Sequence, residues 1–156
     1  MLENQHKPVI EPWLSYVMAE RQKIKKILVP LDGSRNSLRG LETGIHLAKE
    51  HEASLTVIHV IHMPHKKEHK QKELEEEVPP ESFLYAKKLA VKNGIPFFSR
   101  ILTGDPGHSI VEYSDTHNID LIVIGARGLS GFKKIFLGSV SSYVMHKSKM
   151  AVMLIK

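Results

Sequence analysis

The chain has 156 residues, enough for one domain with a buried core; 42% are hydrophobic and 25% are charged. It has no cysteine, which excludes disulfide frameworks, thiolate zinc sites and cysteine nucleophiles together. The formal charge is +5, but the lysines are scattered and no aromatics interleave with a basic cluster, so the excess reads as a bias toward a small anion and no nucleic-acid partner is expected.

Residues 1–22 have neither a continuous apolar run nor a small-residue cleavage site, so they do not read as a signal peptide. No stretch reaches the roughly 18 apolar residues of a membrane span. The expectation is a cytoplasmic protein without a membrane partner. Residues 1–22 form an N-terminal extension, in which a short helix around Trp13, Tyr16 and Val17 is one possibility, and residues 23–156 form one domain.

The first element is the run Lys26-Ile27-Leu28-Val29-Pro30-Leu31, ended by Asp32-Gly33-Ser34. Nearly continuous apolar character over so short a run predicts a strand buried on both faces, the habit of parallel sheets. Over residues 35–51, Leu38, Leu41, Ile45, Leu47 and Ala48 recur at helical spacing behind Ser34 as a cap. A second strand covers Ser54 to Ile61, and a charged connection follows from His65 to Pro80. From Glu81 to about Asn93, Phe83, Leu84, Ala86, Leu89 and Ala90 line one side of a helix that Asn93-Gly94 stops.

Pro96 to Leu102 is a third strand, and Asp105-Pro106 opens the next helix as cap and first helical residue. Asp120 to Gly125 is the fourth strand, Ser139 caps a short helix to about Lys147, and Ala151 to Ile155 is the fifth strand. Strands alternating with helices imply right-handed crossovers. The fold class is α/β: an open five-stranded parallel sheet in the order 3-2-1-4-5 with helices on both faces, Rossmann-like and close to the adenine nucleotide alpha hydrolase type.

Ligands of open parallel sheets bind beyond the carboxyl ends of the strands, where the connections change direction. The first and fourth strands end in Pro30-Leu31-Asp32-Gly33-Ser34 and Gly125-Ala126-Arg127-Gly128-Leu129-Ser130-Gly131, with Gly138-Ser139-Val140-Ser141 opening a helix downstream. Glycines let main-chain amides approach an anion, and a helix N-terminus adds unpaired N–H donors and a positive dipole end. The Ser139 and Ser141 hydroxyls and the charges of Arg127 and Lys133 suit a phosphate chain.

Gly125-x2-Gly128, nine residues, then Gly138-Ser139 resembles the G-x2-G-x9-G-(S/T) signature of the ATP-binding universal stress proteins. The likeness extends to Val-Pro-Leu-Asp-Gly-Ser, to Thr-Gly-Asp-Pro and to the apolar last strand, although Met150 stands where many relatives have proline. It implies ATP, or another adenine nucleotide, in the cleft. Pro30 and Asp32 would line the nucleoside end and Leu55 would lie against the adenine. Gly125, Ala126, Arg127, Gly128, Leu129, Ser130 and Gly131 would wrap the phosphates, and Gly138, Ser139, Val140 and Ser141 would complete that wrap. Mg2+ or Mn2+ would be held mostly by phosphate oxygens. The resemblance also implies a homodimer through residues 151–155.

The leading function is a nucleotide-responsive regulator of the stress response. The chain lacks the GxxxxGK[ST] loop of P-loop enzymes, and no general base stands beside the glycine loop. The alternative is a slow ATPase or an adenylate-forming enzyme using the same cleft; Asp32-Gly33-Ser34 loosely resembles the pyrophosphatase loop of such enzymes but lacks its paired glycines. His59, His62, His65 and His69 fit no zinc module by spacing and read as packed or solvated.

Overall fold

A strand that is apolar on both sides must be covered on both sides, and the computed structural model, which describes residues 23–62, 81–128 and 137–156, meets that demand with helices above and below one sheet. The elements in chain order are β1 (Lys26–Pro30), α1 (Arg35–Glu50), β2 (Ser54–His62), α2 (Glu81–Lys92), β3 (Phe97–Gly104), α3 (Pro106–Thr116), β4 (Leu121–Gly125), α4 (Ser139–Lys147) and β5 (Ala151–Ile155). All neighbouring strands are parallel, and their order is β3-β2-β1-β4-β5. The expected fold class is therefore found.

Alternation along the central strands divides the core in two. Ile27, Val29, Leu55 and Val57 pack with Leu41 and Ala48 of α1 and Phe83, Ala86 and Ala90 of α2. Leu28, Ile58, Ile122 and Ile124 pack on the other face with Ile110 of α3 and Val144 of α4. Each side chain named in these two groups is less than a tenth exposed. Because residues of odd and even number on one strand serve different helix layers, none of the central strands has a polar face.

Local signals set most element ends. The Ser34 side chain accepts from the Ser37 amide at 3.2 Å, and Asp105 accepts from the His108 amide at 2.9 Å, with Pro106 in the first turn of α3. Gly94 takes a φ of 68° just past α2, as a helix stop requires. The end of β3 lies two residues beyond expectation: the strand runs on through Thr103 and Gly104, because these residues still pair with Ile61 and His62 of β2. A ladder partner outweighed the turn-forming character of Thr-Gly-Asp-Pro. The N-terminal extension and the charged connection of residues 65–80 lie outside the described residues, as do His65 and His69.

Contacts at the two ends of β1 have opposite effects on its distance from β4. At its start, the Asp120 carboxylate accepts the amides of Lys25 and Lys26 at 2.8 and 2.9 Å, tying β1 to the mouth of β4. At its end the two strands part. The Leu31 amide donates to Ile58 of β2, so the Pro30 nitrogen is turned toward β4, where it has no hydrogen to give. The β1–β4 pairing accordingly covers only Ile27↔Leu121 and Leu28↔Ile122, although both strands continue.

Candidate functional site

The parting of β1 and β4 opens a cleft at their carboxyl ends, at the place where the connections diverge. From β1 the chain crosses to β2 on one side; from β4 it crosses to β5 on the other. Three helices begin around this cleft. Ser37 of α1, Pro106 and Ile110 of α3, and Ser139, Val140 and Ser141 of α4 all line it. Its apolar wall is Ile58 and Val60 of β2, Ile110 and Ile124. The polar side is formed by Asp32, Arg127 and the α4 terminus.

The two strand-end loops are locked locally. Asp32 Oδ1 accepts from the Ser34 amide at 2.9 Å, an Asx turn that sets the carboxylate before α1 starts. Its other oxygen, Oδ2, lies 2.6 Å from the point where a Cβ on Gly128 would stand. Gly125 is needed for a different reason from the one the sequence suggests. A Cβ there would come within 2.9 Å of the Asn36 carbonyl carbon and 3.0 Å of the Ser37 nitrogen. That glycine lets the end of β4 press against the first turn of α1; the neighbour it makes room for is protein.

Helix α4 does not begin as expected. Ser139 is its first residue, and the N-cap is Gly138, which has extended dihedrals and makes no side-chain cap bond. The glycine before Ser139 already adopts the cap conformation, so the serine is drawn into the first turn. Ser141 is 2% exposed, and its hydroxyl donates toward the carbonyls of Ala126 and Gly138 at 2.9 and 3.0 Å. Its proton is thus engaged in holding α4 to the end of β4. Gly138 strengthens the same joint by donating its amide to the Ala126 carbonyl at 2.8 Å.

Among the sequence-derived site residues, Pro30, Asp32, Gly125, Arg127, Gly128, Gly138, Ser139, Val140 and Ser141 are brought together around the cleft. Ala126 is 2% exposed and stands behind them, contributing its main chain. Leu55 is placed elsewhere. It is fully buried in the α1–α2 core, in the second pair of the β1–β2 ladder and on the opposite sheet face from Ile58 and Val60. The residues of β2 that reach the cleft are those two, a consequence of strand alternation and of position near the carboxyl end. Alternation counted from the end of β2 was the signal available for them. Leu129, Ser130, Gly131 and Lys133 lie outside the described residues.

Arg127 is exposed at the cleft and has no hydrogen-bond or ion-pair partner among the described residues. Among the described residues no group of three acidic or histidine side chains is placed to hold a metal ion. His59 is half-buried with its Nδ1 2.8 Å from the Leu31 carbonyl oxygen, whereas His62 is exposed. No helix among the described residues is long and apolar enough to cross a membrane.

Residues 23–156 match the sequence profile of the universal stress protein family. The chain belongs to that family. Universal stress protein YxiE of Bacillus subtilis is 33% identical over 148 residues, a match that covers 84% of this chain and 98% of the relative. Among solved structures, a universal stress protein from Archaeoglobus fulgidus is 27% identical with a TM-score of 0.66, covering 85% of this chain and 98% of the other. Two universal stress proteins were solved with nucleotides bound. One, in complex with cAMP, is 27% identical with a TM-score of 0.64 and covers 85% of this chain and 96% of its own. The other, from A. fulgidus in complex with dAMP, is 25% identical with a TM-score of 0.63 and covers 86% of this chain and 99% of its own.

Proposed function

We propose that this universal stress protein binds an adenine nucleotide, ATP first among them, in the cleft between β1 and β4, and that occupancy of the cleft is its regulatory output. The observation that carries the reading is a difference between helix termini. The starts of α1 and α3 are capped by Ser34 and Asp105, while the start of α4 has no side-chain cap. Of the three N-termini at the cleft, α4 is the one none of whose leading amides is taken by a capping side chain. Arg127 supplies a cation beside it. The cAMP and dAMP complexes of two relatives support the adenine moiety.

The ligand orientation follows from the chemistry of the walls. The purine lies against Ile58, Val60 and Ile110, and the phosphates run toward α4 and the segment from Gly125 to Gly128. The Asp32 carboxylate accepts from a ribose hydroxyl. Mg2+ or Mn2+ suits a triphosphate here with most of its ligands drawn from phosphate oxygens, because the described residues offer no metal cluster of their own. Binding and not turnover is the output, through stabilisation of a homodimer. Residues 151–155 form an edge strand, with Met153 37% exposed, and suit that dimer contact.

Mass spectrometry of small molecules released from the purified, denatured protein tests the reading, together with calorimetric titration by ATP and AMP. Adenine nucleotide in the extract, or saturable binding at one site per chain, is expected. Absence of both refutes the reading. Pyrophosphate or phosphate release well above about one turnover per minute would move the assignment to an enzyme.

A further inference from the structure

We propose that His59 is a positioning residue for the nucleoside end of the cleft: by gripping the Leu31 carbonyl, its ring fixes the loop that leaves β1 after Pro30 and presents Asp32. This role rests on the adenine-nucleotide reading of the cleft.

The β1–β2 ladder pairs Pro30 with Ile58, and one residue further Leu31 still donates its amide to the Ile58 carbonyl at 2.8 Å. The Leu31 carbonyl is then taken by a side chain, His59 Nδ1, also at 2.8 Å. A carbonyl oxygen only accepts, so Nδ1 carries the hydrogen in this contact. Both main-chain polar groups of Leu31 are thus held by β2 at the point where β1 leaves the sheet. The next residue is Asp32, whose Oδ1 is held by Ser34 and whose Oδ2 faces Gly128.

Leu31 is 2% exposed. If the imidazole donor is removed, its carbonyl is left buried without that partner, and the loop must open toward water to satisfy it. Such a movement displaces Asp32, the next residue along the chain. His59 itself does not line the cleft. It projects from the opposite face of β2 to Ile58 and Val60, so it acts only through the loop.

The test compares His59→Leu, which keeps bulk but has no donor, with His59→Asn, whose amide nitrogen takes the place of Nδ1. Two readouts are needed: hydrogen exchange of the Leu31–Ser34 amides in the nucleotide-free protein, and calorimetric affinity for ATP and AMP. His59→Leu is expected to exchange faster in that segment and to bind both nucleotides about tenfold more weakly, the worth of one hydrogen bond to a buried acceptor. His59→Asn is expected to stay within about twofold of wild type in both. Should His59→Leu fail to fold, His59→Gln, which carries its amide one bond too far out, serves as the donor-displaced variant. Affinity or exchange unchanged in His59→Leu, or in His59→Gln where it takes that variant's place, overturns the proposal, as does a His59→Asn variant as impaired as either. If wild type binds neither nucleotide, the reading of the cleft falls. The exchange readout then decides the clamp by itself, supporting it if protection depends on the donor and overturning it if not.

Discussion

The Asp32 carboxylate and Gly128 face each other across the cleft, with Oδ2 2.6 Å from where a side chain on Gly128 would begin. Asp32 follows β1 and Gly128 follows β4, so this contact joins the two loops at the site. The carboxylate cannot easily retreat, because its Oδ1 is engaged with the Ser34 amide. Even one methyl group on Gly128 must push Asp32 out of place. Gly128→Ala is therefore expected to weaken ATP binding at least about tenfold, ~1.4 kcal/mol, measured by calorimetry. A bulkier residue should abolish binding. Undiminished affinity in both variants would contradict the proposed site.

Ser141 joins α4 to the end of β4 through two carbonyls. Each of those carbonyls keeps a second donor: Ala126 has the Gly138 amide and Gly138 has the Ser142 amide. The cost of Ser141→Ala is therefore near that of one lost hydrogen bond, about 1 kcal/mol, read from urea denaturation. Nucleotide affinity should fall with it, because the amides at the start of α4 lose their fixed aim. A loss above about 3 kcal/mol would mean that the second donors do not suffice.

Gly44 lies within α1, where alanine is the better helix former by about 1 kcal/mol. Its neighbours reverse that preference. A Cβ at this position would stand 2.7 Å from Val29 Cγ2 and 3.4 Å from Leu55 Cδ1, inside the core between α1 and the sheet. Overpacking of this kind costs about 1–3 kcal/mol, so Gly44→Ala is expected to destabilise by up to about 2 kcal/mol. The double variant with Val29→Ala should be more stable than the sum of its parts. Denaturant midpoints of the four proteins check the sign and the coupling.

β5 is an edge strand whose side chains are all apolar, with Met153 37% exposed. A charge on an edge strand discourages pairing with another edge. If the proposed homodimer forms through β5, the wild type is expected to sediment as a dimer and Met153→Lys as a monomer at the same concentration. A variant that remains dimeric would place the contact elsewhere.

The element order, the parallel sheet, the caps at Ser34 and Asp105, and the strand ends that carry the cleft were all legible in the amino-acid sequence. These depend on signals local in the chain: apolar runs, helical spacing and residues that favour particular dihedrals. Whatever depends on proximity between distant segments was settled by packing. It assigned Leu55 to the α1–α2 core and brought Ile58 and Val60 to the cleft, since which face of a strand serves which layer depends on how both layers pack. It also added a close contact with α1 at Gly125, moved the cap of α4 from Ser139 to Gly138, and gave the Ser141 proton to the protein. In each case the deciding neighbour lies on another element, and side-chain space and hydrogen-bond partners exist only once those elements have packed.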